Sequence, residues 1–164
     1  MRKPLTYVFG ILLMLTVLYY GLSWYNAPRQ RSLAELQALS LEGEDENAQE
    51  LAALELAGRG AEAIPHLRIV LAEARSPRVQ TAVIQGLGHM RDWDSMPALL
   101  EALSSDDENV RRRAGQAVTR ILGADYNFRP GAAPDQRARV IQVLRAEYAK
   151  WKDNPPTMYK RDEQ

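Results

Sequence analysis

The sequence predicts an all-α protein: an α-solenoid of about three helix pairs plus a C-terminal capping helix, preceded by one transmembrane helix. Three observations predict it: an uncharged apolar run near the start of the chain, a helical pattern that recurs at a fixed interval, and residues suited to helix ends between the recurring segments. The predicted parts are a basic N-terminus (1–4), a transmembrane helix (5–25), a linker (26–31), a repeat domain (32–151) and a flexible tail (152–164).

The transmembrane helix is predicted from the absence of charged residues between Pro4 and Pro28. The 21 residues from Leu5 to Tyr25 would span ~31 Å as a helix, close to the ~30 Å hydrocarbon core of a bilayer. Aromatic residues near both ends are typical of the membrane–water boundary. A cleaved secretory signal is the alternative, and the length of the apolar run favours an uncleaved span.

Basic residues on the two flanks of this helix indicate its orientation. Arg2, Lys3 and the terminal amine precede the helix, whereas Arg29 and Arg31 follow it. The positive-inside rule therefore favours a cytoplasmic N-terminus by one charge and predicts the repeat domain on the outer, periplasmic side. The alternative orientation places the repeat domain in the cytoplasm.

One face of the predicted transmembrane helix carries small residues about one turn apart. Small residues let a second helix approach closely, which is how helices associate in lipid. We therefore expect a packing face formed by Thr6, Gly10, Met14, Val17 and Gly21.

The remainder of the chain contains an internal repeat. Residues 79–90 align with residues 110–121 at a constant offset of 31, and a further step of 31 reaches residues 48–59. The apolar positions follow the spacing i, i+4, i+7, i+11 of a helix with one buried face. Residues 64–67 resemble residues 96–99 in the same way, at an offset of 32. Because one helix pair cannot bury its apolar face alone, stacked pairs must supply the core.

Residues suited to helix ends divide the repeats into helices. Ser76 precedes a proline and can cap a helix that begins there. Ser105 and Glu108 have the spacing of a capping box, and Gly60 and Gly123 stand where a left-handed residue commonly ends a helix. The predicted helices cover residues 32–42, 45–58, 61–74, 77–90, 94–104, 107–122 and 134–151.

The last of these helices is predicted to cover the open end of the stack. Tyr126 and Phe128 lie in the loop before it and are expected to pack beneath it. The apolar face of the capping helix is expected to consist of Val140, Leu144, Tyr148 and Trp151.

A resemblance to a known family is carried by residues 108–123, ENVRRRAGQAVTRILG. This segment resembles the second helix of a HEAT repeat, in the short bacterial form also seen in phycobilin lyases. The D-x-x-x-x-P-x-L pattern of the first helix is matched by Asp92, Pro97 and Leu99. The resemblance covers residues 44–123 well and implies an α-solenoid whose second helices line a concave face that binds partners.

In that family an arginine near the start of the second helix often forms a ladder with acidic residues of adjacent repeats. In this sequence Arg111 matches that position, while Gln49 and Gln80 occupy it in the other repeats. We therefore expect stacking to rest chiefly on the burial of apolar side chains.

Composition and charge exclude several classes of function. The chain has no cysteine, which excludes disulfides, Cys-based zinc sites and thiol nucleophiles. Its 21 basic and 21 acidic residues cancel, so it lacks the positive field of a nucleic-acid binder. The consecutive Arg111, Arg112 and Arg113 point about 100° apart on a helix and are not expected to form one patch. We expect no nucleic-acid partner.

The sequence contains no pattern that carries catalysis or metal binding. His66 and His89 have no further ligands at metal-binding spacing, and residues 42–46 are acidic without the spacing of a calcium loop. A Gly-rich phosphate loop and a nucleophile elbow are also missing. We therefore predict a non-catalytic protein without a cofactor or a metal. An enzyme, or an enzyme partner, of the phycobilin lyase type is the alternative that the resemblance suggests.

Polar stripes lie opposite the predicted core faces of two second helices and should lie side by side on the concave face. The stripes are Arg78, Thr81, Gln85 and His89 in the first of these helices, then Asn109, Arg112, Gln116 and Arg120 in the second.

The predicted function is a membrane-anchored interaction scaffold or an accessory subunit of a membrane protein complex, with a membrane-associated protein partner. The residues expected to bind the partner are Gln85, His89, Arg112, Gln116 and Arg120.

Overall fold

The computed structural model describes residues 13, 14, 16–18 and 31–153. The chain forms two compact units, Met1–Arg31 and Ser32–Gln164. In the first unit residues 13, 14 and 16–18 are helical and exposed, and Arg31 is exposed and not helical. Most of the predicted transmembrane helix, and residues 154–164 of the predicted tail, lie outside the described residues. Among the described residues no helix combines the length and the apolar character needed to cross a membrane.

The predicted packing face of the transmembrane helix is described in part. Met14 and Val17 are helical and exposed. Thr6, Gly10 and Gly21 lie outside the described residues, so this face stays a prediction.

The second unit is all-α over residues 32–153, as predicted, without a strand in that range. Short 3-10 turns, Gly60–Ala63 and Trp93–Ser95, precede the third and fifth α-helices. The α-helices are α1 (Leu33–Glu42), α2 (Glu46–Gly58), α3 (Ile64–Glu73), α4 (Pro77–His89), α5 (Met96–Ala102), α6 (Glu108–Leu122) and α7 (Pro134–Trp151).

The helices pack as three consecutive pairs. Each first helix contacts the second helix that follows it, and the second helices α2, α4 and α6 stack in order. The helix α7 contacts α5 at the end of the stack. This arrangement agrees with the predicted pairs and capping helix.

Most of the predicted helix ends are confirmed. The Ser76 hydroxyl accepts the amide hydrogen of Val79 (3.4 Å) and caps α4. Gly60 and Gly123 have φ angles of 78° and 71°, in the left-handed region that glycine adopts without strain.

The predicted capping box at Ser105 and Glu108 is wrong. The carboxylate of Asp107 caps α6 instead and accepts the amide hydrogens of Asn109 (2.8 Å) and Val110 (2.9 Å). Ser105 accepts the amide hydrogen of Asp107 (3.2 Å). A carboxylate suits this place because it satisfies unpaired amides and is favoured by the positive end of the helix dipole.

One hydrophobic core runs through the helix pairs. The predicted core faces are buried, with Val79 and Val83 in α4 and Ala114 and Ile121 in α6. Further leucines complete the core between first and second helices. The fully buried ones include Leu36, Leu56, Leu67, Leu87, Leu99 and Leu103.

The predicted face of the capping helix is confirmed except for Trp151, since Leu144 is buried and Val140 and Tyr148 are partly buried against the core. Ile141 and Leu144 are buried, and the Tyr148 ring packs on Trp93 with ring centroids 5.4 Å apart. This burial raises the pKa of Tyr148. Trp151 is 43% exposed and donates to the Glu147 carboxylate in its own helix (3.3 Å), so its place in the predicted face is wrong. Tyr126 and Phe128 pack against the core, as predicted.

The fourth residue of each second helix makes the same contact in all three pairs. Its side chain donates to a carbonyl oxygen six residues earlier in the chain. The bonds run from Gln49 Nε2 to Gly43 (3.2 Å), from Gln80 Nε2 to Ala74 (2.7 Å) and from Arg111 Nη1 to Ser105 (2.8 Å). The position therefore ties each turn to its own second helix, and no ladder of ion pairs runs along it in residues 31–153.

One polar link joins the second and third pairs. The guanidinium of Arg68 in α3 donates twice to Asp92, at 2.8 and 2.5 Å, and once to Asp94 (2.9 Å). The Ser95 hydroxyl also donates to the buried carboxylate of Asp92. The hydrogen bond to Asp92 raises the pKa of Arg68. Stacking of the second and third pairs therefore combines apolar burial with this partly buried ion pair, which the sequence did not predict.

Close contact between second helices requires small residues. A Cβ added at Gly88 would lie 2.7 Å from Cβ and 2.9 Å from Cα of Ala117. We expect Gly88→Ala to lower the free energy of unfolding by about 1–3 kcal/mol, since α4 and α6 would have to separate. Chemical denaturation followed by circular dichroism measures this change.

Gly58→Ala is the matched control, because nothing lies within 4 Å of a Cβ added there. It should leave stability unchanged or raise it by up to about 1 kcal/mol through helix propensity. Equal effects of the two substitutions would show that the α4–α6 contact is looser than described.

Candidate protein-binding groove

A groove of about 380 Å³ lies between the N-terminal halves of α4 and α6. The two helices touch further along, where Gly88 meets Ala117, and their buried faces point away from the groove. The predicted side-by-side arrangement of the polar stripes is therefore present at this end. The polar residues that line the groove are Arg78, Thr81, Asn109, Arg112, Arg113 and Gln116.

A difference between repeats explains why the groove is open. Between α2 and α4 the equivalent space is crossed by Arg78, which donates to Asn47 (2.6 Å) and pairs with Glu50 (2.5 Å). One repeat later the residue at the Arg78 position is Asn109. Its short side chain accepts from Arg112 on the same helix (2.9 Å). No side chain of α6 then bonds across to α4 at this level within residues 31–153.

The arginines of the groove differ in their partners. Arg112 pairs with Glu108 one turn earlier (2.9 Å). Arg113 donates to the Gln116 side-chain oxygen at 3.4 Å, and no carboxylate in residues 31–153 lies within 4.0 Å of it. The third of the consecutive arginines, Arg111, is buried and points into the turn before α6.

The expectation that the arginine run forms no patch is therefore partly wrong. Arg112 and Arg113 line one groove because long side chains from neighbouring helix positions can both reach it. A signal for Arg113 was present in the repeat alignment, in which Arg113 occupies the position of the buried Ala82 one repeat earlier. A charged residue at a position that is apolar one repeat earlier indicates that the space beside it is open.

The structure brings together two of the five residues predicted to bind a partner. Arg112 and Gln116 line the groove. Gln85 is half-buried, whereas His89 and Arg120 are exposed near the C-terminal ends of α4 and α6. The His89 ring bonds to the Gln85 carbonyl oxygen (2.7 Å) within its own helix.

The described residues contain no group of three His, Asp or Glu side chains arranged to hold a metal ion. The His66 ring is hydrogen-bonded to the side-chain oxygen of Gln37 in α1 (2.7 Å), whereas His89 bonds within its own helix. The predictions of no metal and no cofactor stay predictions.

A family model for HEAT repeats matches residues 33–119 and 64–147. This chain belongs to the HEAT repeat family. Searches of curated proteins and of solved structures found no match. HEAT repeats generally mediate protein–protein interaction, so membership indicates an interaction scaffold.

In HEAT terms, the helix pairs are three repeats, and α2, α4 and α6 are their second helices. The groove lies between the second helices of the second and third repeats. The Asp92 that matches the first-helix pattern of a HEAT repeat is the carboxylate that receives Arg68.

Proposed function

We propose that this HEAT repeat chain is a membrane-anchored scaffold that holds a partner protein, as an accessory subunit of a membrane protein complex and without a catalytic role. The groove between α4 and α6 carries the proposal, because it presents polar side chains from two helices that pack against each other. The apolar run over residues 5–25 supports the anchor. An anchor raises the effective concentration of a binding module for membrane neighbours without new contacts.

The first test reverses charge on the exposed face of α6. We expect Arg112→Glu with Arg120→Glu to release the partner, because both guanidinium groups are exposed donors on the same helix. Stability should change by no more than about 0.5 kcal/mol per site. Affinity purification of the tagged full-length chain from membranes in mild detergent, followed by mass spectrometry, measures the loss.

The matched control is Arg139→Glu with Arg145→Glu, the same change of charge on exposed positions of α7. The control should retain the partner. Deletion of residues 1–25 should weaken capture in membranes and leave some affinity in solution. If the Arg112/Arg120 variant keeps its partner and only Gly10→Leu or Gly21→Leu releases it, binding takes place within the bilayer and the groove is not the site.

The second test concerns orientation. We propose a cytoplasmic N-terminus and a repeat domain outside the cytoplasm, on the one-charge bias of the flanks. Protease added to intact spheroplasts should then remove the repeat domain. Survival of the domain until lysis would place it in the cytoplasm.

A further inference from the structure

We infer that the groove between α4 and α6 binds an acidic, extended segment of the partner protein, and that Arg113 receives a carboxylate of that segment. The inference rests on the proposed function and names the chemistry of its partner. The groove volume of about 380 Å³ lies at the lower end of the ~300–1,000 Å³ range of ligand pockets. A short stretch of an extended peptide is therefore the scale of ligand that it accommodates.

The charges of the groove favour an anionic ligand. Arg78 and Arg112 pair with Glu50 and Glu108, and each guanidinium keeps further N–H groups for another acceptor. Arg113 has no carboxylate partner in residues 31–153. The acidic residue of the lining, Asp107, is engaged by two backbone amides of α6. A guanidinium without a carboxylate beside it binds an incoming carboxylate through two parallel hydrogen bonds.

The uncharged groups of the groove suit a peptide backbone. The side-chain oxygens of Asn109 and Gln116 accept from Arg112 and Arg113. Each amide nitrogen then has no partner in the described part of the chain and remains a donor for a peptide carbonyl. The Thr81 hydroxyl donates to the Arg78 carbonyl oxygen (2.7 Å), which leaves its oxygen as an acceptor for a peptide N–H.

The same features disfavour a nucleic acid. Glu50 and Glu108 stand beside the groove arginines and would repel a row of phosphates. None of the residues lining the groove is aromatic, so bases would have no ring to stack on. A peptide with discrete carboxylates can place one of them on Arg113, which pairs with neither glutamate.

Fluorescence anisotropy of the full-length chain in mild detergent tests the inference. The probe is a labelled synthetic peptide in which Glu alternates with Ser, and its comparison has Gln at every Glu position. We expect the Glu peptide to bind, with an affinity that falls as salt rises, and the Gln peptide to bind far more weakly. A labelled single-stranded oligonucleotide should bind more weakly than the Glu peptide.

Variants of one residue assign the binding to the groove. Arg113→Gln should weaken binding of the Glu peptide at least about tenfold, which is about 1.4 kcal/mol. The affinity of Arg113→Lys should lie between those of the parent chain and Arg113→Gln, because lysine keeps the charge and loses the planar guanidinium. Arg145→Gln is the matched control, with the same loss of charge on α7, and should bind like the parent chain.

Three results would overturn the inference: equal binding of the Glu and Gln peptides, unchanged binding by Arg113→Gln, or tighter Arg113-dependent binding of the oligonucleotide. If one of these occurs while the Arg112/Arg120 variant still loses its partner in membranes, the proposed function stands and the inference alone fails. If the Glu peptide binds through Arg113 and no protein co-purifies with the chain, the scaffold role fails instead.

Discussion

Leu87→Asp should abolish the cooperative unfolding transition of the repeat domain. The Leu87 side chain is 0% exposed and lies in α4, the second helix at the centre of the stack. An aspartate there would be buried without a cation or a hydrogen-bond donor, at a cost of several kcal/mol. Because the whole domain is stable by only ~5–15 kcal/mol, a loss of that size unfolds it. Thermal melting followed by circular dichroism measures the result.

Leu51→Asp is the matched control for this substitution. Leu51 also lies in a second helix, α2, but it is 65% exposed. Its aspartate would remain in water, so we expect a change of at most about 1 kcal/mol, mainly from helix propensity. A Leu87→Asp protein that melts like the parent chain would refute the assignment of the core face of α4.

Arg111→Ala should lower the free energy of unfolding by about 2–4 kcal/mol, unlike the same substitution at either of the two arginines that follow it. Arg111 is 7% exposed and donates to the carbonyl oxygens of Ser105 (2.8 Å), Asp106 (2.7 Å) and Pro130 (2.8 Å). Its removal leaves these acceptors without their cation and detaches the loop before α7 from the third repeat. Chemical denaturation gives the change in unfolding free energy.

The neighbouring arginines provide the controls. Arg112→Ala and Arg113→Ala remove equal charge from exposed positions and should change stability by about 0.5 kcal/mol or less. Equal effects at all three positions would mean that the hydrogen bonds of Arg111 contribute no net stability. Arg111→Gln should recover part of the loss, because glutamine makes the equivalent bond at Gln49 and Gln80.

Helix positions and pairing could be predicted because they depend on local spacing. Apolar residues at helical intervals must share a face, and Pro and Gly residues restrict where a helix starts or ends, so the predicted helices agree with the described ones to within a few residues. The errors concern side chains with competing local partners. Ser105 and Asp107 both lie near the start of α6, and three-dimensional geometry selected the carboxylate as the cap.

The candidate site was only partly predictable for a related reason. The repeat alignment placed Arg112 and Gln116 on the polar stripe opposite the core face of α6, and the structure has them in the groove. Arg113 was missed, since helix geometry fixes the direction of Cα–Cβ but not where a long side chain ends.

The sequence by itself determined that this chain is an all-α repeat protein with paired helices, because hydrophobic period and helix-end residues are local properties. It also determined the absence of cysteine chemistry. Only the tertiary structure decided the roles of the consecutive arginines, of which Arg111 secures a turn while Arg112 and Arg113 line a groove. Those roles depend on the space between α4 and α6 and on which carbonyl oxygens and carboxylates lie within reach. Such distances arise from the packing of helices far apart in the chain, and no local pattern encodes them.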